Sequence, residues 1–251
     1  MRGDQAAERD ENGFRMRGQH VTRTETFVDA AFAFSLSLLV IFHNDLPQTA
    51  AELRAALLRV PTFVLCFAML ALFWAAHRRW SRRFGMDDAR SILLSLAFVL
   101  VVLVYVYPLR MVISSFLSMV SGGALPSELG FDPTRPMLDL QTTFIVYSLG
   151  FGLLAAIVWL LNRHALAHAH AMALDEDERY QLRSELGSHA ILAGSALLSL
   201  GLSLLVLASG ARGWFVGGLP MWVYATLSIA MPWYWIRRER GRPGRAGAQS
   251  A

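Results

Sequence analysis

The chain has 251 residues, of which 55% are hydrophobic and only 17% are charged, which is too apolar for a soluble domain of this length. Its formal net charge is +4, and its basic side chains other than histidine are all arginines. A basic chain can bind nucleic acid, but these arginines flank long apolar runs, which indicates orientation in a membrane instead. The composition therefore favours a multi-pass membrane protein, with lipid and not nucleic acid as its surroundings.

Both ends of the chain are polar. Residues 1–20 carry mixed charge and have no apolar core, so we predict a disordered cytoplasmic tail and no cleavable signal peptide. Residues 237–251 are rich in arginine and glycine, and we predict a basic cytoplasmic tail there.

Six apolar runs within residues 21–236 are long enough to cross a membrane as helices, which predicts an all-α membrane protein. A short amphipathic surface helix is predicted over 49–59, directly after the first run. Arg110 lies near the outer end of the third run, where we expect its side chain to snorkel to the interface. The predicted spans cover roughly 22–43, 60–77, 90–117, 139–162, 189–209 and 214–236.

The arginines also predict the orientation of these spans. Six spans place both termini on the same side of the membrane. Arginine clusters at 78–83, 163–183 and 237–245 fall on that side, whereas the other loops are poor in arginine. The positive-inside rule therefore places both termini in the cytoplasm.

Three charged residues, Arg23, Glu25 and Asp29, lie in the first turns of the first apolar run. Charge near the end of a membrane helix is costly unless it is paired, solvated or used in function. Asp29 lies deepest and most needs a partner. Alternatively, this end is only an interfacial anchor, in which Arg23 snorkels and Asp29 meets water.

No arrangement typical of an enzyme stands out in the sequence, which has no phosphate-binding glycine loop, no His-Glu-x-x-His and no nucleophile elbow. Cys66 is the single cysteine, so it forms no internal disulfide. Of His164, His168 and His170, only the first two share a helical face, and no acidic residue is suitably spaced for a metal site. We predict neither an enzyme nor a metal or cofactor site.

One stripe on the first helix is a candidate pore lining. Phe34, Ser37, Leu38 and Ile41 recur at i, i+3, i+4 and i+7. Such a stripe commonly packs against neighbouring helices. If several copies surround an axis, it forms apolar rings that control ions by diameter and dewetting. The carbonyl-filter pattern Thr-Val-Gly-Tyr-Gly is absent, so selectivity in a channel of this kind would come from side chains.

The first run opens on Arg23-x-x-x-Phe27-Val28-Asp29. This pattern resembles the Arg-x-x-x-Phe-Ser-Asp signature at the first span of the transmembrane protein 175 family, which comprises the lysosomal potassium channel and its prokaryotic relatives. The arginine, phenylalanine and aspartate match, and Val28 stands where the family has serine.

The second run ends on Trp74-x-x-His77-Arg78, which is similar to the Trp-x-x-His-His of the family, with Arg78 in place of the second histidine. The resemblance extends from Arg23 to about Ser115, and the rest of the chain matches only in hydropathy. It implies a single six-helix member of the prokaryotic type, in the plasma membrane of a bacterium.

The resemblance implies a homotetramer whose first helices line a central pore. It further implies passive, potassium-preferring cation conduction through a hydrophobic constriction on the stripe described above, with Phe34 in place of the usual isoleucine. It also implies a polar network that ties the pore helix to its neighbours near the cytoplasmic helix ends. The residues expected in this network are Arg23, Phe27, Asp29, Trp74 and His77.

Two other functions stay open at this point. The chain could be a non-conducting interaction or regulatory protein that has kept the fold. It could also be a proton-coupled transporter that uses Asp29 and His77. A transporter is expected to hold an ionisable site near the membrane midplane, and none lies deep in a predicted span.

Overall fold

A computed structural model describes residues 8–41, 47–210 and 213–242, and every regular element in those ranges is an α-helix. The prediction of an all-α protein is therefore confirmed. The helices are α1 Arg23–Ile41, α2 Ala50–Leu57, α3 Val60–Phe84, α4 Ala89–Val120, α5 Pro136–Ala167, α6 Glu176–Ser209 and α7 Trp214–Arg240.

Local sequence signals define several helix ends. The Asp88 side chain accepts from the backbone N–H groups of Arg90 and Ser91, which caps α4. Asp175 and Glu178 form a capping box at the start of α6. Helix α3 ends at Gly85, whose φ of +59° is the left-handed conformation that glycine adopts without strain.

Five helical stretches in the described residues are long and apolar enough to cross a membrane, and α2 and α3 count together as one of them. Helix α1 is not among the five. It has 19 residues and carries Arg23, Glu25 and Asp29. The protein is thus a membrane protein with five clear candidate spans, and the role of α1 as a sixth span remains a prediction.

Two helices extend further than the hydropathy of the sequence indicates. Helix α3 continues to Phe84 instead of ending near residue 77, so the arginine cluster at 78–83 is helical. Helix α6 begins at Glu176 instead of near residue 189, so much of the predicted polar loop at 163–188 is helical. Hydropathy detects only the apolar part of a helix, and polar turns beyond it escape notice.

The helices meet in a core rich in aromatic rings. Helix α5 packs against α4, α6 and α7, and α1 packs against α3 and α4. Near the centre, the Phe73 and Phe151 ring centroids lie 5.6 Å apart, and those of Tyr147 and Tyr224 lie 5.0 Å apart. Edge-to-face packing of this kind adds to the stabilisation from burial. The core fixes α3, against which α1 rests.

Residues 8–18, here called the N-terminal strap, are ordered, and the prediction of a disordered tail is wrong for them. Phe14 is fully buried, with its ring centroid 5.5 Å from that of Phe84. The Gly18 N–H donates to the Arg82 carbonyl, and a Cβ at Gly18 would lie 2.6 Å from the Ser81 carbonyl oxygen. The prediction failed because one buried phenylalanine in a polar segment gives no hydropathy signal. Residues 1–7 and 243–251 lie outside the described residues.

Ion pairs hold the N-terminal strap on α3 and α6. The Arg83 Nη2 donates to Asp10 Oδ2 at 2.7 Å. Arg15 and Arg17 both donate to the Glu178 carboxylate, whose side chain is almost fully buried. Charge-assisted bonds between partly buried groups are stronger than surface pairs. The strap therefore joins the chain just before α1 to the C-terminal end of α3 and the N-terminal end of α6.

Phe14→Ala should lower the melting temperature of the purified protein, because it removes a fully buried ring at a cost of about 3 kcal/mol. Thermal unfolding in detergent measures the effect. Phe215→Ala is the matched control, since Phe215 is 77% exposed. Equal melting temperatures for the two variants would mean that the N-terminal strap does not contribute to the fold.

Candidate functional site

Helix α1 is buried on one side only. Val28, Phe32, Ser35 and Leu39, which recur every three or four residues, are all nearly inaccessible and face α3 and α4. Glu25 extends this buried side at its beginning. The other side of the helix has no partner within the described part of the protomer.

Two of the four residues of the predicted pore stripe lie on that open side. Phe34 is 56% exposed and Ser37 is exposed, whereas Leu38 is half-buried against the core. The backbone of Ile41 ends α1, but its side chain lies outside the described residues. Ala30 continues the exposed stripe one turn before Phe34, and sequence reasoning did not single it out.

Asp29 has the partner that its position requires. The Trp74 Nε1–H donates to Asp29 Oδ1 at 2.7 Å, which joins α1 to α3. On the same indole, the Arg78 guanidinium carbon lies 5.2 Å from the ring centroid. A cation over an aromatic ring is attracted to its π-electrons. Arg78 therefore holds the indole that contacts Asp29.

His77 bonds to α4 and not to α1. Its Nε2 lies 3.0 Å from Ser95 Oγ, and its ring stacks on Phe98 with centroids 5.3 Å apart. Phe98 in turn contacts the Phe32 ring of α1 at 5.6 Å. His77 thus supports the buried side of α1 through α4. One signal in the sequence could have indicated Ser95, because Ser91 and Ser95 lie four residues apart on one face of a largely apolar helix.

The predicted polar network is brought together only in part. Asp29 meets Trp74, and His77 lies one turn further along α3. In the described residues, no hydrogen bond or ion pair links Arg23 to any of these three side chains. Phe27 is 53% exposed and lies on the open side of α1. The contacts to α3 and the exposed residues therefore occupy different sides of the same helix.

Arg110 anchors the other end of α1, and the expectation that it snorkels is wrong. Its Nη1 donates to the Leu39 carbonyl at 2.7 Å, and its Nη2 donates to Glu128 Oε1 at 2.6 Å. Leu39 lies in the last turn of α1, where carbonyls have no donor within the helix. A buried arginine that is paired in this way satisfies both its own charge and the helix end.

The histidines at the end of α5 bond to other protein groups. His164 Nε2 lies 2.9 Å from Asp88 Oδ2, and His168 Nδ1 bonds to the His164 carbonyl. Burial acts to raise the pKa of Asp88, but bonds from His164 and Ser91 outweigh it and lower the pKa to about 2. The described residues contain no group of three side chains suited to a metal ion.

Comparison with known proteins shows a similarity to one family of potassium channels. The model of the family described as endosomal/lysosomal potassium channel TMEM175 matches residues 23–108, from the start of α1 to the proline in α4. The chain is therefore similar to the TMEM175 family over this region. The matched region holds α1, Trp74 of α3 and Phe98 of α4, whereas Arg110, which bonds to the Leu39 carbonyl, lies just beyond it.

Two relatives extend the match over most of the chain. A protein named potassium channel from Marivirga tractuosa is 28% identical over 219 residues, which cover 86% of this chain and 88% of the relative. A crystal structure of a variant of the potassium channel MtTMEM175, in complex with a nanobody–MBP fusion protein, superposes with a TM-score of 0.75 at 26% identity. The match covers 92% of this chain and 100% of that one. The protein is thus a multi-pass membrane protein, similar to bacterial potassium channels and not an enzyme.

Trp74→Phe should destabilise the protein by about 0.5–1.5 kcal/mol, because it removes the indole N–H that donates to the exposed Asp29 carboxylate, and water replaces that bond only in part. The melting temperature in detergent reports the loss. Trp222→Phe serves as the control, since Trp222 is 47% exposed. A melting temperature for Trp74→Phe as high as that of the control would show that the bond does not hold α1 on α3.

Proposed function

We propose that this protein is a TMEM175-type, potassium-preferring cation channel that conducts passively, with α1 lining the pore of a homo-oligomer. The observation that carries the proposal is the open side of α1, which has no partner within the described part of the protomer. Relatives of similar length are named potassium channels, and the family match begins at the first residue of α1.

The residues on the open side suit a constriction made of side chains. Copies of Phe34 around an axis form an apolar ring, which controls ions by its diameter and by dewetting. Ser37 adds hydroxyl oxygens three residues later, and its Oγ donates to the Ala33 carbonyl at 3.2 Å, which leaves its lone pairs to face a cation. Leu38 lies at the edge of this face. Ile41 continues it only by helical spacing.

The proposed assembly is a tetramer with both termini in the cytoplasm. Helix α1 then acts as a sixth span, and its charged first turns lie at the cytoplasmic end beside the arginines of α3. Ala30 and Ala33 are exposed next to Phe34, and such small residues let membrane helices approach closely. Membrane lipid surrounds the assembly, and potassium is the permeant ion without any bound cofactor.

Phe34 also favours a second candidate, a non-conducting protein of the same fold. Its ring is bulkier than an aliphatic side chain, so four copies could close the pore completely. A proton-coupled transporter has less support, because His77 is buried between Ser95 and Phe98 and presents little surface to water.

Potassium flux from proteoliposomes tests the channel. Phe34→Ala and Leu38→Ala should each increase flux severalfold, since both widen the constriction. The matched controls are Phe215→Ala on α7 and Leu205→Ala on α6, which remove exposed side chains of the same types. Potassium and sodium gradients in parallel report the selectivity.

The outcomes separate the two candidates. Flux in the wild-type protein, altered by the α1 substitutions and not by the controls, supports a conducting pore. No wild-type flux, with flux in Phe34→Ala, identifies a pore that the phenylalanine closes. If no variant conducts, although the protein reconstitutes, the channel proposal is wrong.

A further inference from the structure

Two neighbouring cavities lie between α3, α6 and α7. The first, here called the basic cavity, has a volume of about 240 Å³ at the end of α3, the start of α6 and the end of α7. Its lining includes four arginines, Arg79, Arg83, Arg238 and Arg242. Asn12 of the N-terminal strap also lines this cavity.

The second cavity, here called the apolar cleft, has a volume of about 400 Å³. Its lining is mainly hydrophobic and includes Met69 and Leu72 of α3, Leu192 of α6 and Leu227 of α7. Leu72 is 68% exposed, so the cleft has an edge on the outer surface of the helices. That surface belongs to candidate membrane spans, and lipid can therefore reach it.

The two cavities share three residues, Arg79, Glu185 and Trp235. From Arg79 to Met69 the shared side of α3 runs ten residues, or about 15 Å at the rise of an α-helix. The hydrocarbon core of a bilayer is about 30 Å thick, so this length is about that of one leaflet. Tryptophan is enriched where apolar and polar layers of a membrane meet, which is the position of Trp235 between the two cavities.

The arginines of the basic cavity are not equally neutralised. Arg83 pairs with Asp10, and Arg242 pairs with Asp177 at 2.6 Å. Arg238 instead contacts tyrosines, because its Nε donates to Tyr234 Oη and its guanidinium lies over the rings of Tyr180 and Tyr234. Tyrosine contacts do not neutralise a guanidinium charge.

Arg79 is the second arginine without a carboxylate of its own. Its Nη1 donates to Glu185 Oε1 at 2.7 Å, but Arg83 shares that carboxylate at 3.7 Å, and the Arg79 side chain is 46% exposed. One carboxylate thus serves two arginines. Glu185 and Glu239 also line the cavity, so the four arginines face four carboxylates once Asp10 and Asp177 are counted. What the cavity offers a single phosphate is the N–H donors of Arg79 and Arg238, neither of which has a carboxylate to itself.

We propose that the two cavities together bind one anionic phospholipid. Its phosphate accepts hydrogen bonds from Arg79 and Arg238 in the basic cavity, and an acyl chain occupies the apolar cleft. Basic pockets between membrane helices on the cytoplasmic side recognise lipid headgroups by this chemistry. A phospholipid is favoured over a soluble phosphate because the charged cavity continues into an apolar one of about leaflet length.

Thermal unfolding of the purified full chain in an uncharged detergent tests the site. Phosphatidylglycerol should raise the melting temperature by several degrees more than phosphatidylcholine with the same acyl chains. The double variant Arg79→Gln/Arg238→Gln, and Arg238→Gln alone, should lose that difference. Each variant is compared with itself without lipid, so any loss of intrinsic stability cancels.

The control for charge is Arg163→Gln/Arg237→Gln, which removes two exposed arginines that lie over Trp159 and Trp233 outside both cavities. It should keep the response to phosphatidylglycerol. Equal responses to the two lipids in the wild-type protein would overturn the proposal, as would an equal loss in this control.

A second pair of variants distinguishes a lipid from a free anion. Ser228 is exposed and lines the apolar cleft, so Ser228→Trp should block the acyl chain and abolish the response to phosphatidylglycerol. Thr226→Trp, at an exposed position outside the cleft lining, should not. If inorganic phosphate stabilises the protein as much as the lipid, and Ser228→Trp changes neither response, the site binds a soluble anion and the lipid proposal is wrong.

Discussion

The one-sided packing of α1 is the constraint on which the rest of the structure depends. Phe32 contacts Phe98, which His77 supports from α3, and the Trp74 indole holds Asp29. Arg110 bonds to a carbonyl in the last turn of the helix. These contacts fix both ends and one side of α1. They leave the opposite side without a partner in the described protomer, although it carries an exposed phenylalanine. Apolar surface of this kind in a membrane helix faces lipid, another subunit or a pore. The similarity to a family of potassium channels favours a subunit contact or a pore over lipid.

The polar groups around α1 fall into two sets. One set bonds to α1 itself, and the other joins the N-terminal strap to the ends of α3 and α6. Inside the membrane region, the Trp74 indole, the His77 imidazole and the Arg110 guanidinium each contact a specific polar group or ring. Beyond it, the N-terminal strap ties the chain just before α1 to α3 and α6 through Asp10, Arg15 and Arg17. A displacement of these helix ends would therefore reach α1 directly through the backbone. The basic cavity lies at the same place, with one wall supplied by the strap.

Much of the fold followed from the sequence, because apolar runs of spanning length and flanking arginines reflect the membrane itself. The pairing of Asp29 with Trp74 could be anticipated only as a shared network, since spacing within two separate helices does not define which side chains meet. Ser95, Phe98 and Glu128 belong to no motif, and their roles depend on how α4 and the following loop pack. Phe14 escaped notice for a different reason. A single buried ring and a few ion pairs order the strap, and neither feature alters its average polarity.

The most direct test of the pore role of α1 is a cysteine-modification scan along this helix during potassium flux. Cys66 is buried, so it contributes little background in the native chain. If the open side lines the ion path, cysteines at Ala30, Phe34 and Ser37 should react with a membrane-impermeant thiol reagent and change the flux. Cysteines at Val28 and Ser35 should not, because these positions are buried against the neighbouring helices. Modification without this helical period, or flux that is unaffected at every exposed position, would contradict a pore lined by α1.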